Sequence, residues 1–463
     1  MSEREARRGA DLAAWLDPSA CPSERPPFAR MGEATRHLHA ALDAHARGEG
    51  VAWLNPERRT IQRDLLGSPN VVAWQEAKLA FTIRGDGAWS ELPHLYARYG
   101  TPGTAALIAA LRALEGARCA FVTDCGMQAF ALVTDALLST GGHAVLMRQI
   151  YNKTKTFTEW SARRIGASVS FVEDGDHAAL AAAIRPETRF VFAETFTNPL
   201  VRAQDIGALV ATIRARNPQT KLVIDSTIAT PWAFRTPLLA QGVGVVIGSL
   251  TKALGGQDIA LGGYIATDDA ELGNQIMDLL AMRGGILDDD RARVIVPHLP
   301  AAAERHARRC ATAAKIAAFL AAHPKVERVY SPSLPDHPDA AVIARDYART
   351  GSIVAFRVAS ADELRHRHIA DVLASTGVPR YALSFDGLPT KINHHRTVSE
   401  YFTPDDVVAR AGIDRLIRIA VGIEDADDLI ACLNWTLHNE ARVTAADLDA
   451  WRAARAAKLG IAE

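Results

Sequence analysis

The chain has 463 residues, 48% of them hydrophobic and 23% charged, which is enough to bury a large core divided between two domains and an accessory segment. Its 52 basic residues against 53 acidic ones leave a formal charge of −1, so no global field would draw in nucleic acid or an anionic membrane. Five scattered cysteines (Cys21, Cys119, Cys125, Cys310 and Cys432) form neither a CxxC pair nor a disulfide scaffold, and a reducing, cytoplasmic setting is expected.

Residues 1–90 read as an N-terminal arm, with a proline cluster at SACPSERPPF and helical spacing in EATRHLHAALDAHARG. Its start, MSEREARRGADLAAWLD, mixes acids and bases without an apolar core. No run of about 18 apolar residues occurs anywhere, so neither a signal peptide nor a membrane anchor is expected. From about residue 104, short β-branched runs alternate with Ala/Leu-rich helical stretches, the pattern of βαβ units and a parallel sheet. The runs are CAFVT (119–123), HAVLM (143–147), SVSFV (168–172), RFVFAE (189–194), KLVID (221–225), GVVIG (244–248) and GGYIA (262–266). After a long helical pattern at LPAAAERHARRCATAAKIAAFLAAHP, the strands KVERVYS, SIVAFRV and RLIRIAVG suggest a smaller domain. The expected fold class is α/β, a mostly parallel seven-stranded sheet between helices. The expected divisions are an arm at 1–90, a large domain at 91–303 and a small C-terminal α/β domain at 304–463.

Ligands of a parallel sheet collect beyond the carboxyl ends of its strands, where loops converge and helix N-termini point inward. Glu194 closes RFVFAE, Asp225 closes KLVID, and Ser249, Thr251 and Lys252 follow GVVIG in GSLTKALGG. A lysine at the mouth of a buried strand is either a solvated end or a nucleophile. Any one such residue is ordinary, but their coincidence is not. Pyridoxal 5′-phosphate (PLP) needs an amine for its aldehyde, a carboxylate for its ring nitrogen and a cradle for its phosphate. The turn TDCGMQAF offers that cradle, because Gly126 permits close backbone approach and the following helix presents free N–H groups. Read alone, this turn is no more than a capped helix start.

From Tyr96 to about Ile430 the sequence resembles the Cys/Met-metabolism branch of fold-type I PLP enzymes, which includes cystathionine γ-synthase, cystathionine γ-lyase and methionine γ-lyase. The matching motifs, in family order, are YARYGTPG, CGMQA, AETFTNP, IDSTIATP, GSLTKALGG, YALSFDG and LIRIAVGIED. The resemblance implies that Lys252 holds the cofactor and later moves the substrate's protons, and that Asp225 keeps the pyridine nitrogen protonated. It implies that the Gly126 and Met127 N–H groups and the Ser249 and Thr251 hydroxyls bind the phosphate, with Thr227 completing the cofactor set. Tyr96 and Arg98 would reach the phosphate of a neighbouring subunit, which implies a homodimer-based homotetramer with shared sites. Tyr151 would stack on the ring and assist elimination. Arg418, with Ser384 and Asn198, would clamp the substrate carboxylate.

Departures from the family pattern fall on the substrate side. Asn152 and Lys153 stand where small residues leave room beside the cofactor, Ala253 and Gln257 replace a tyrosine and a histidine, and Pro389 and Lys391 lie near the place of an acid that meets cystathionine's distal amine in some relatives. The expected activity is γ-elimination or γ-replacement on a sulfur-containing or O-acylated homoserine-type amino acid. The alternatives are a β-lyase releasing pyruvate and a non-catalytic PLP-binding scaffold. No metal is expected, since His394 and His395 lack further ligands at suitable spacing. The run Asp288–Asp290 reads as a helix start or solvated turn, and Glu304 and Arg308 can pair across one turn.

Overall fold

The computed structural model describes residues 98–255, 258–400 and 403–460. The expected arm over 1–90, Tyr96 and Gln257 lie outside the described residues. Residues 98–101 fall outside the unit that the chain from Pro102 onward forms, and that unit contains both sheets.

Helix α1 (Pro102–Glu115) leads into strand β1 (Cys119–Thr123) and helix α2 (Gly126–Leu137). Strand β2 (His143–Met147), helix α3 (Asn152–Ile165) and strands β3 (Ser168–Val172) and β4 (Thr188–Glu194) follow. Helix α4 (Ile206–Arg216), β5 (Lys221–Asp225), β6 (Val245–Ser249) and β7 (Gly263–Thr267) complete the first sheet. Its seven strands lie within one residue of the apolar runs read from the sequence, in the order β1-β7-β6-β5-β4-β2-β3. The sheet is parallel except at β7, which runs antiparallel to β1 and β6. Every residue of β1, β2 and β7 is buried, as expected of a sheet covered on both faces by helices.

Two registers shape the carboxyl edge of this sheet. Because β7 is inserted antiparallel, its first residue, Gly263, sits between Thr123 and Ser249, the last residues of β1 and β6. Only glycine fits there, since an added Cβ would lie 2.3 Å from the Cys125 carbonyl. The loops after β1 and β6 therefore converge. Separately, Glu194 at the end of β4 lies beside Asp225 at the end of β5.

Helix α5 (Asp289–Ile295) starts at the acidic run, with Asp288 as its cap accepting the Arg291 N–H at 2.8 Å. The long helical pattern is α6 (Ala302–Ala322). On it, Arg308 reaches Asp425 at 3.1 Å instead of pairing with Glu304, because the start of a later helix supplies a carboxylate opposite it. Strands β8 (Val326–Tyr330) and β9 (Ile353–Val358), helix α7 (Glu363–Ser375), strands β10 (Arg380–Tyr381) and β11 (Lys391–His394), helix α8 (His395–Ser399) and strand β12 (Ile417–Ala420) come next. Helices α9 (Ala426–Asn439) and α10 (Ala445–Leu459) end the described chain. The second sheet has five strands in the order β10-β11-β12-β9-β8. Ile316 and Leu320 of α6, Leu373 of α7 and Leu433 of α9 pack on Phe356 and Ile419 of this sheet, each burial worth about 1.5–3 kcal/mol. No helix among the described residues is long and apolar enough to cross a membrane.

Candidate active site

At the carboxyl edge of the first sheet lies a cavity of about 370 Å³. Eleven of the thirteen residues proposed from the sequence line it: Gly126, Met127, Tyr151, Asn198, Asp225, Thr227, Ser249, Thr251, Lys252, Ser384 and Arg418. Of the other two, Tyr96 is outside the described residues and Arg98, ahead of Pro102, is exposed with its guanidinium 5.6 Å from the Tyr99 ring.

Lys252 sits in a tight turn, Leu250–Leu254, where its own φ and ψ of −94° and −144° break the helical geometry. The turn is held from the second sheet's side. Asp386 accepts the Ala253 N–H at 3.0 Å through one carboxylate oxygen and the Ser352 hydroxyl at 3.1 Å through the other. The Lys252 ammonium donates to the Ser384 hydroxyl and lies 4.5 Å from the centre of the Phe385 ring. Burial pulls its pKa below the usual lysine range; Asp386 opposes this, while Arg418 and Lys391 reinforce it. This is the environment of a nucleophilic amine, not of a solvated strand end.

Two carboxyl groups face the same space. Burial raises Asp225 above the usual carboxylate range, and its contacts are the hydroxyl and N–H of Thr227, the latter at 2.8 Å. Burial, followed by repulsion from Asp225, pushes Glu194 well above that range, while it accepts the Tyr151 N–H at 2.6 Å. No cation among the described residues offsets Asp225. A buried carboxylate in this state calls for a cationic partner, which a protonated ring nitrogen would supply.

The cradle forms where β1 and β6 end. Cys125 caps α2 with no side-chain bond, and the Gln128 and Ala129 N–H groups already donate to its carbonyl at 3.2 and 3.3 Å. The N–H groups of Gly126 and Met127 precede these helical bonds and lie at the positive end of the helix. A Cβ on Gly126 would come 3.1 Å from the Ser249 Cβ, so glycine keeps this space open. The Ser249 and Thr251 hydroxyls lie on the same side, each donating weakly to the Gly262 carbonyl at 3.4 and 3.3 Å, and the Ser249 N–H donates to the Thr227 hydroxyl at 2.9 Å. An anion here would meet the Gly126 and Met127 N–H groups and two rotatable hydroxyls.

Arg418 lies in β12, between Asn393 of β11 and Ala355 of β9, and is 2% exposed. It donates to the Asn198 side-chain oxygen at 3.2 Å and to the Ser384 and Leu383 carbonyls at 3.2 and 3.4 Å. Its Nε has no partner. Burial pushes its pKa down to about 10, with Asp386 opposing, so it remains charged near neutral pH. A buried guanidinium with only neutral acceptors fits a carboxylate that arrives with the substrate.

The departures fall differently from expectation. Asn152 and Lys153 open α3 and, like Pro389 and Lys391, do not line the cavity; Lys391 pairs with Asp258 at 2.5 Å. Tyr151, just ahead of α3, does line it, and is 49% exposed. His394 and His395 are buried, His394 bonding the Thr397 hydroxyl at 2.7 Å, and the described residues contain no group of three or more His, Cys, Asp or Glu that could hold a metal. Glu194 lines the cavity although only its place at a strand end is evident from the sequence, and neither Asp386 nor the apolar wall of Phe130, Phe196, Leu383 and Phe385 is expected from it.

Amine, paired carboxyls and anion cradle thus share one cavity, and residues 67–438 match the family model described as Cys/Met metabolism PLP-dependent enzyme. The chain belongs to that family. Its fit to PLP rests on the uncompensated Asp225, the desolvated Lys252 amine and the cradle that a Cβ at residue 126 would fill. Among relatives of this transsulfuration family, the chain is 32% identical to cystathionine γ-synthase 1, chloroplastic, of Arabidopsis thaliana over 338 residues, 73% of this chain and 58% of that one. It is also 32% identical to cystathionine β-lyase of Bacillus subtilis over 335 residues, 72% of this chain and 83% of the relative. The crystal structure of cystathionine γ-synthase from Xanthomonas oryzae pv. oryzae in complex with cystathionine superposes with a TM-score of 0.71 at 27% identity, covering 76% of this chain and 89% of that one.

Proposed function

We propose that this PLP-dependent enzyme carries out γ-elimination or γ-replacement on a sulfur-containing or O-acylated homoserine-type amino acid. The observation that carries the reading is that Ser384 contacts both Lys252, through its hydroxyl, and Arg418, through its carbonyl. In this reading Arg418 and Asn198 bind the substrate carboxylate and so aim the Cα–H bond toward the Lys252 amine. Lys252, its pKa lowered by burial, moves the protons at Cα and then at Cβ, so that the electron pair left at Cβ can expel the γ-group. The Tyr151 hydroxyl assists departure of the γ-group. Asp225 holds the ring nitrogen in its protonated form, and Gly126, Met127, Ser249, Thr251 and Thr227 anchor the phosphate side. The bound PLP supplies the electron sink that stabilises negative charge at Cα.

The reading includes a cytoplasmic homotetramer in which Tyr96 and Arg98 serve a neighbouring subunit's phosphate. A β-lyase reading, releasing pyruvate, is kept because the γ-synthase and β-lyase relatives are equally similar, at 32% identity each. The test is a keto-acid and ammonia assay of PLP-loaded protein against methionine, homocysteine, cystathionine, cysteine and O-acylhomoserines, with and without a thiol. Release of 2-oxobutanoate, diverted by thiol into a new amino acid, supports γ-chemistry. Pyruvate transfers the reading to the β-lyase, and no turnover across the panel rejects both.

A further inference from the structure

A second cavity, of about 540 Å³, lies apart from the active site and is walled by α7, β10 and α10. Its volume falls in the range of small-molecule sites, about 300–1,000 Å³. Arg367 and Asp371 of α7, Arg380 and Tyr381 of β10, and Trp451, Arg452 and Arg455 of α10 face it. Four guanidinium groups thus meet a single carboxylate within one concavity. Arg452 pairs with Asp449 on its own helix at 2.7 Å, whereas Arg367, Arg380 and Arg455 have no ion pair among the described residues. Arg455 lies 5.7 Å from the Trp451 ring. Like charges gathered in this way repel one another unless an anion joins them, and planar guanidinium forks match phosphate oxygens in pairs. The wall formed by α10 begins at Ala445, beyond residue 438 where the family match ends.

We propose that this cavity binds a nucleoside phosphate, with the base against Trp451 and Tyr381 and the phosphates held by Arg367, Arg380 and Arg452. With Asp371 in the cavity and Asp449 paired to Arg452, the four guanidinium groups keep an excess of two positive charges, which suits a phosphate-bearing ligand better than a single carboxylate. Trp451 supplies a flat apolar face that an inorganic anion would not use.

The site is wired to the catalytic cavity through two segments. Arg380 and Tyr381 run through Ala382 into Leu383, Ser384 and Phe385, which line the cavity containing Lys252. The Ala382 carbonyl is fixed by the Asn393 side chain at 3.0 Å, next to Arg418 across the sheet. Helix α8 contributes Thr397 to the arginine cavity and leads to Ser399 in the catalytic one. An occupant that draws Arg380 toward α10 pulls on the segment that runs from β10 to Ser384, and turnover responds.

The test is calorimetric titration of the PLP-loaded enzyme, whose own phosphate cradle is filled, with ADP, ATP, adenosine and inorganic phosphate in separate runs. ADP and ATP are expected to bind once per chain and more tightly than adenosine or phosphate alone. Arg367→Gln, Arg380→Gln and Arg452→Gln should each weaken ADP by about tenfold or more, and Trp451→Ala should weaken ADP while leaving the weak binding of phosphate unchanged. Arg367 and Arg452 are exposed, so those variants keep the fold, checked by an unchanged melting transition. Absence of ADP binding, wild-type ADP affinity in the three arginine variants, or phosphate binding as tightly as ADP would overturn the site. Saturating ADP that leaves the turnover of the wild-type enzyme unchanged would overturn the coupling.

Discussion

Replacing Arg418 by lysine keeps a positive charge in β12 but removes the two-pronged geometry that faces the cavity. In the structure the guanidinium uses Nη1 toward Asn198 and Nη2 toward the Ser384 and Leu383 carbonyls, with Nε unpartnered. An ammonium in its place can satisfy some of these acceptors or the substrate carboxylate, but not both in parallel. Losing one hydrogen bond to a charged group costs about 1.5–3 kcal/mol, or roughly 10- to 150-fold in kcat/KM. The carboxylate is remote from the bond that breaks, so the loss should fall mainly on KM, with kcat reduced less. The assay is steady-state keto-acid release with the best substrate of the panel, with circular dichroism confirming that the variant is folded. A folded Arg418→Lys enzyme whose KM stays within about threefold of the wild type would refute the carboxylate role.

Gly126→Ala inserts a methyl group 3.1 Å from the Ser249 Cβ; overpacking of this kind costs about 1–3 kcal/mol, so PLP affinity measured by fluorescence titration of apo-protein should fall about five- to 150-fold. An unchanged affinity would move the cradle elsewhere. Glu115 is buried, accepts the Tyr264 hydroxyl at 2.5 Å, and is raised by burial from 4.5 to about 7. Because the native state holds this proton more tightly than the unfolded chain, stability should decline as pH rises from about 4.5 to 7, by about 3 kcal/mol in total. Glu115→Gln should remove that decline and be the more stable protein at pH 8, as read by urea unfolding at several pH values; parallel pH profiles would contradict the assignment. Asp386→Asn removes a negative charge that holds up the pKa of Lys252 while leaving an acceptor for the Ala253 N–H. The pH dependence of PLP capture by apo-protein should therefore shift to lower pH, and a shift to higher pH would show that Asp386 does not act through charge.

The first sheet was legible because each of its strands is an apolar, β-branched run bounded by polar residues, and the strand ends fall where Glu194, Asp225 and Ser249 interrupt those runs. Strand β11 was not legible. Its sequence, Lys391-Ile392-Asn393-His394, is polar, yet all four residues are buried because distant partners satisfy them: Asp258 for Lys391, the Ala382 carbonyl for Asn393 and Thr397 for His394. Most of the candidate site could be read because its residues sit in short contiguous motifs. Asp386 could not, since its bond to the Ala253 N–H spans 133 residues and nothing in the string SFDG predicts it. Glu194 carried a signal at the strand end, but its pairing with Asp225 depends on β4 lying next to β5, a neighbourhood that only the sheet order reveals.

The proposed chemistry depends throughout on Lys252 being the amine that holds the cofactor. Borohydride reduction of the PLP-loaded protein fixes the cofactor to that amine, and peptide mass mapping then locates it. The added mass is expected on the peptide containing Lys252 alone, and should be lost in Lys252→Ala. Label on Lys155 or Lys391, or undiminished labelling of the Lys252→Ala protein, would contradict that role.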